Sequence, residues 1–557
     1  VKRTLVLTLA AAAVAVMLPR LLSAQFGLLD DGQMLRFAVE TRRDWATVYR
    51  SYQSTGRFFP GYLAWLSLVT AVVGSTPALL FLVNAGLFTA VAVWLAVIVR
   101  FRGGSDLQAA AAAMSFMVSG PAIAATYTAC KQELPQLFWV TVSLVLIPSL
   151  GAVGRLRKLG VFSVVTAALL VANTTKETSI VMIPISIAWV MREWLAPDSA
   201  GSREQIAIRA WYCVASVFAG VAFLGLRAYL GGVPLAQGSY TQNYRLNWGQ
   251  LQASGLNWLV YLTLNFTYMV PLLLVGSMMW MIRRRWQHAL VSDAVIWMVC
   301  WMGVYLPWGW AVEYYLLPFT FGCTALAGVL FGESWRTARH ERAAWLRQMA
   351  TAGIVASVAL WGASVSNALT QGAIQLALDG ANHDLIHFMA RAPQNSSLEV
   401  DLSSPNEYVY EIGVHLSDFE KRPDIKVEYF NPDAVREARN RPGTLKRYVA
   451  SPQLTNQAAM LPRVPVEEWG ARERSRNLAR LLGDGAEPVL RTKRRVRLVA
   501  FNMHQPVCEF IEGTHGRGLC GQRGRLMDTR VLSFGWTVYE LPRRDVGTQQ
   551  AAEITRP

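Results

Sequence analysis

Ionisable side chains recur at intervals along a largely apolar chain. Asp30 and Asp31 stand in "LLDDG", and Arg57 opens "GRFFPGY". Lys131 and Glu133 lie in "TYTACKQELPQ", Lys176 and Glu177 in "NTTKETS", and Arg227 in "FLGLRAYLGG". Tyr240, Tyr244 and Trp248 lie in "SYTQNYRLNWGQ", and Glu313 and Tyr314 in "YLPWGWAVEYYLLP". A carboxylate takes the proton of an attacking hydroxyl as general base. Fixed cations in a water-poor site hold the charge that grows on a leaving phosphate. Together these groups suit displacement of a phosphate from a sugar carbon by a hydroxyl, which needs one base and no covalent nucleophile. Where the phosphate stays attached to a lipid, the donor arrives sideways from a bilayer and the site belongs at a membrane face.

Each group also has a plainer reading. An Asp-Asp pair after a helix is often a solvated loop start. Lys131 with Glu133, and Lys176 with Glu177, are spaced to anchor or pair at helix ends, and Glu313 to cap or pair. Arg57 and Arg227 can snorkel to headgroups. Aromatic residues such as Tyr240, Tyr244 and Trp248 are common at membrane interfaces whether or not they stack on sugars. His383, Asp384 and His387 in "NHDLIH" place two imidazoles four residues apart, without a third ligand in view. No metal site is assigned. "NTT" at 173–175 and "NSS" at 395–397 are sequons by pattern only.

These groups must be held by membrane helices. The chain has 557 residues, of which 53% are hydrophobic and 16% charged, and a mean hydropathy of +0.27. A soluble protein carries charge on nearer a quarter of its residues. Apolar runs of near-spanning length fall at about 4–23, 78–99, 107–125, 134–150, 159–174, 178–191, 207–230, 257–282, 289–306, 314–332 and 349–368. Two of them, 159–174 and 178–191, are short for a full crossing and imply burial among other helices or a thinned bilayer.

The net charge of +16 falls largely in short loops between these runs, where Lys and Arg set topology, so it does not indicate a nucleic-acid partner. Lys2 and Arg3 place the N-terminus inside. If "PGYLAWLSLVTAVVGST" at 60–76 is a juxtamembrane or re-entrant helix, the basic loops 99–104, 154–158, 191–194, 282–286 and 334–342 all fall inside. About eleven spans result, with the chemistry-bearing turns and the C-terminus outside. The opening run reads as a retained helix rather than a cleaved signal, because no small-x-small site precedes a soluble domain. Val1 fits a literally translated GTG start. With the Ala- and Arg-rich composition, it points to a bacterial inner or plasma membrane.

The division falls near residue 370: a transmembrane catalytic domain over 1–369 and an extracytoplasmic α/β domain over 370–557. The second part is charged and turn-rich, with strand-like "SSLEVDL", "IKVEYF", "RVRLVAF" and "WTVYEL" and helical "NEYVYEIGVHLSDF" between the first two. Cys508 and Cys520 lie there, and outside the cytoplasm they pair as a disulfide. The other four cysteines lie in or beside apolar runs, as small core residues.

The order of these features resembles the GT-C-fold glycosyltransferases: a first helix, then "LLDDG", "GRFFPGY" entering a juxtamembrane helix, the turn "KQELP", the turn "TKETS", and "EYYLLP" opening a late helix. The likeness runs over most of residues 1–340, to the broad branch of protein O-mannosyltransferases, aminoarabinose transferases and arabinosyltransferases. It implies an inverting transferase with a polyprenyl-phosphate sugar donor and a glycan, lipid or protein acceptor. It implies Asp30 as catalytic base with Asp31 as the second acid. Arg57, Lys131, Lys176 and Arg227 would bind the donor phosphate, and Glu133, Glu177, Tyr240, Tyr244, Trp248, Glu313 and Tyr314 the substrates. The first-loop pair is Asp-Asp-Gly rather than the Asp-Glu of the first two subfamilies, so substrate identity does not carry over. Cofactor need stays open, since members differ in using a divalent cation and no extra acidic cluster decides it here. The competing readings are a transporter or flippase, and an envelope-glycan assembly protein with an outer binding domain. A transporter commonly shows internal repeats, and none is visible.

Overall fold

The computed structural model describes residues 2–28, 30–48, 50, 56–151, 155–195, 202–230, 244–283, 289–308, 312–401, 407–431, 446–455, 487–497, 499–503 and 527–541. The chain divides into two compact units. One comprises 1–24, 37–372 and 500–520, and the other 25–36, 373–499 and 521–557. The segment carrying Asp30 and Asp31 therefore groups with the C-terminal chain.

The first unit is a bundle of apolar helices. Among the described residues, eight helices are long and apolar enough to cross a membrane, and up to ten if each bent pair counts as one span. The protein is thus a multi-pass membrane protein. Leu156–Thr175 and Glu177–Leu195 have 20 and 19 residues, so the two runs read as short are extended by polar residues at their ends to spanning length. Pro60–Val73 has only 14 residues, well short of a span. Ala289–Tyr305 is likewise short at 17 residues.

Two expected spans are broken rather than straight. Asp106–Met117 meets Gly120–Thr126 at 56°, and Trp248–Phe266 meets Met269–Met279 at 88°. Proline explains both positions. A helical proline clashes with the carbonyl four residues back. Pro121 and Pro271 would meet Met117 and Thr267, the places where the first helices stop. The run 257–282 therefore turns through a right angle.

The central element is Leu317–His340, 94% buried over its apolar window. Gly328 and Gly332 let it lie against Asp106–Met117. A Cβ on Gly328 would overlap the Gln108 carbonyl oxygen and the Ala112 Cβ, and one on Gly332 the Gln108 side chain. Small residues at such spacing allow membrane helices to approach closely. Asp106–Met117 itself starts with a capping box, in which Ser105 and Gln108 satisfy each other's backbone N–H groups.

Among the described residues, the second unit contains a six-stranded sheet. Its strands are β1 (Ser397–Val400), β2 (Lys426–Tyr429), β3 (Arg447–Thr455), β4 (Pro488–Arg491), β5 (Arg494–Arg497) and β6 (Val531–Glu540). The order is β2-β1-β3-β6-β4, with β5 also on β6. β1 runs parallel to β2 and β3, while β6 is antiparallel to β3, β4 and β5. The helix Glu407–Val414 and the turn His415–Phe419 connect the parallel pair β1 and β2, as a crossover requires. β6 is buried along almost its whole length, as a strand covered on both faces must be. Trp536 on β6 is fully buried, and its indole N–H donates to Asn382 at 3.1 Å.

Candidate functional site

In the membrane unit, the second and third turns and the late "EYYLLP" turn meet. Glu133 begins the helix Glu133–Val145, and Lys176 precedes the short helix Glu177–Val181. Their side chains form a buried ion pair. Lys176 also lies over the Tyr315 ring at 4.0 Å, and Lys131 over the Tyr314 ring at 4.4 Å. Ammonium groups gain most from aromatic faces when desolvated, and both lysines are buried. Tyr315 stacks in turn on Tyr305, with 5.6 Å between ring centroids.

Arg57 donates to the Gln132 side chain at 3.0 Å and lies over Phe59 at 5.2 Å. Arg227 donates to the Gly56 carbonyl at 3.3 Å. Glu313 is buried and accepts from Asn265 at 2.8 Å. Asn84 donates to the carbonyls of Thr128 and Ala129 at 3.1 and 3.2 Å, pinning the turn that carries Lys131. Gln136 donates to Thr178 and Ser179, both at 2.8 Å, tying the Glu133 helix to the segment after Lys176.

The remaining expected residues are less engaged. Glu177 is half-buried at the start of its short helix. The Tyr244 hydroxyl donates to the Val304 carbonyl at 2.7 Å, and Trp248 is 80% exposed. Tyr240, Cys508 and Cys520 lie outside the described residues.

The second unit holds the two acids differently from each other. Asp31 starts the helix Asp31–Arg43, is fully buried, and accepts from the Gly27 N–H at 2.9 Å. Asp30 is partly exposed and has φ +69°. Few side chains tolerate this left-handed region, and Asp is one of them. Thus the Asp31 carboxylate fastens the turn, and Asp30 sits on it partly exposed.

Glu411 braces the same turn. Its carboxylate accepts the N–H groups of Gly32 and Gln33 at 2.8 and 2.9 Å. These are first-turn amides without intrahelical partners, and an acid there also suits the helix dipole. Burial, and then the neighbouring charges of Asp31 and Asp30, push the Glu411 carboxyl up to about 8 against two opposing amide bonds. Burial lowers His415 to about 4. Arg36 on the same helix makes a bidentate contact with Asp418 at 2.6 and 2.9 Å and reaches Ser417 at 2.7 Å. Burial alone would raise the Asp418 carboxyl, but its bonds to Arg36 and Ser417 hold it below the usual range.

An open cavity of 770 Å³ in this unit is lined by Arg36, Glu399, Tyr410, Glu428, Tyr429 and Arg447, among others. His383 and His387 stack on each other at 5.7 Å, and Asp384 pairs with Arg494 at 2.6 Å. No group of three or more potential metal ligands occurs among the described residues.

Sequence reasoning missed Gln132, Asn265, Glu411 and Asp418. The first two are neutral amides without a distinctive signal. Glu411 and Asp418 lie 379 and 382 residues from their partners Gly32 and Arg36, and no local pattern announces such a pairing.

No family model matches the chain, and no curated protein matches its sequence. Solved structures do. That of ArnT from Cupriavidus metallidurans bound to undecaprenyl phosphate gives a TM-score of 0.50 at 13% identity, covering 81% of this chain and 94% of that one. That of the Archaeoglobus fulgidus oligosaccharyltransferase tethered to an acceptor peptide gives 0.47 at 12% identity, covering 81% and 69%. The first likeness shows the fold, which is the GT-C fold. The second is too slight to add to it.

Proposed function

We propose that the protein is an inverting glycosyltransferase that moves a sugar from a polyprenyl-phosphate donor to a hydroxyl of a glycan, lipid or protein. The reaction would take place at the outer face of a bacterial inner membrane, with the N-terminus cytoplasmic and the C-terminal domain outside. The observation that carries this reading is the turn that holds Asp30. Asp30 is partly exposed there at a left-handed φ, and Asp31 and Glu411 fix the surrounding backbone. A general base needs that combination of fixed position and access. The shared fold supports it, and the neighbour that holds undecaprenyl phosphate suggests the class of leaving group.

In this reading Asp30 takes the proton of the acceptor hydroxyl as the hydroxyl oxygen attacks the anomeric carbon. The bond to the phosphate oxygen breaks on the opposite side, and the lipid phosphate leaves with the electron pair. Arg57, Lys131 and Arg227 hold its charge, which counts most where water is scarce. Lys176 is paired with Glu133 and acts mainly by fixing the turn that carries Lys131. Glu177, Glu313, Tyr314, Tyr244 and Trp248, with Tyr240, remain candidates for sugar contacts. The cavity lined by Tyr410 and Tyr429 is a candidate acceptor contact.

The test is transfer of radiolabel from a panel of polyprenyl-phosphate sugars by the purified full chain in nanodiscs, with hydrolysis counted separately. Transfer with inversion at the anomeric carbon is expected. Retention of configuration, or no transfer from any donor while the protein is folded and binds polyprenyl phosphate, contradicts it.

A further inference from the structure

The membrane unit has a second polar cluster, at the other ends of the same helices. Glu133–Val145 and Ser202–Tyr229 carry Glu133 and Arg227 at one end, and Leu144 and Arg209 toward the other. There Arg102, Arg192 and Arg209 surround Asp293. Arg102 and Arg209 reach one carboxylate oxygen at 2.6 and 2.8 Å, and Arg192 the other at 2.5 Å. Glu193 pairs with Arg192 and lies 3.2 Å from the Nε of Arg209. The Trp189 ring lies 4.9 Å from the Arg209 guanidinium.

This cluster borders a cavity of 310 Å³. That is near the lower limit of small-molecule sites, about 300–1,000 Å³, and far above a one-water void of about 30 Å³. Its polar wall is Arg102, Arg209, Asp293, Glu204 and Gln205, and its depth is apolar, with Leu95, Leu144, Ile208, Trp297 and Phe321. The Nε of Arg102 is buried and finds no hydrogen-bond acceptor among the described residues.

We infer that this cavity binds a zwitterionic glycerophospholipid. The headgroup phosphate accepts from Arg102 and Arg209, the ammonium lies toward the exposed Glu204, and an acyl chain enters the apolar depth. Three observations specify the occupant. The two arginines on the cavity wall call for an oxyanion. The polar wall carries two arginines and two carboxylates, a balance that suits a zwitterion better than a multiply charged anion. The remainder of the lining calls for hydrocarbon. Basic pockets between membrane helices are known recognition sites for lipid headgroups. This site shares no residue with those assigned to sugar transfer, so its test stands apart from that reading.

The test is native mass spectrometry of the full chain released from detergent, after titration with phosphatidylethanolamine, phosphatidylglycerol or inorganic phosphate. Wild type should retain phosphatidylethanolamine. Arg102→Gln should weaken retention about tenfold, the loss of roughly one charge-assisted contact. Ala325→Phe, which fills the cavity and leaves every charge in place, should abolish it. Thermal midpoints of both variants guard against misfolding. Equal retention by wild type and Ala325→Phe overturns the proposal. So does equal affinity for inorganic phosphate, which would leave the apolar wall without a role, or preference for phosphatidylglycerol, which would leave Glu204 without one.

Discussion

Two buried acids show how single residues carry this structure. Glu133 and Lys176 are both nearly inaccessible and paired with each other. Burying two charges is costly, and removing one partner strands the other at about 3–5 kcal/mol. Lys176→Met should therefore lower the thermal midpoint sharply, and Glu133→Gln with Lys176→Met should recover much of the loss. Additive losses in thermal melts of Lys176→Met, Glu133→Gln and the double variant would show that the pair is not coupled. Glu411 makes a pH-dependent contribution. Its folded carboxyl titrates at about 8 against a reference of 4.5, so between these values only the folded state holds the proton and rising pH favours unfolding. His415, lowered from 6.5 to about 4, acts oppositely between its two values, where the unfolded state binds the extra proton. Of these two, only the Glu411 effect remains above about pH 6.5. The thermal midpoint of wild type should fall from pH 6.5 to 8, whereas that of Glu411→Gln should stay level. A parallel decline in both would remove Glu411 as the cause.

At the scale of elements, most helices were legible because hydropathy over twenty residues is a strong local signal. The breaks were not, since a proline marks a bend only once the preceding helix is known to end four residues earlier, as at Met117 and Thr267. Strand β3 escaped because "RYVASPQLT" contains Pro452, which argues against a central strand. The structure reconciles this. β1 pairs with β3 only over Arg447–Ala450, so Pro452 lies beyond the partner that would have needed its N–H. The close approach at Gly328 was equally invisible, because only the facing Gln108 and Ala112 make a glycine necessary there. Gly328→Val should cost at least the ~1–3 kcal/mol of an overpacked core. Gly86, whose added Cβ would meet nothing within 4 Å, should accept alanine without loss. A thermal melt that ranks the two alike would contradict the packing described.

For the whole molecule, the polar residues of the membrane unit sort to its two ends. Arg102, Arg192 and Arg209 gather at one, and Lys131, Glu133 and Lys176 at the other. The grouping of basic loops 99–104 and 191–194 on one side was legible from charge alone, and so was the sequence order of the chemistry-bearing turns. What distinguishes Asp30 from Asp31 was not, because it depends on a backbone turn and on Glu411 far along the chain. Whether Asp30 is the base is read from the turnover of Asp30→Asn with the best polyprenyl-phosphate sugar, alongside its donor affinity. A loss of about 100-fold or more, the usual worth of a general base, with donor affinity unchanged, is the predicted result. Turnover at the wild-type rate by Asp30→Asn would contradict it.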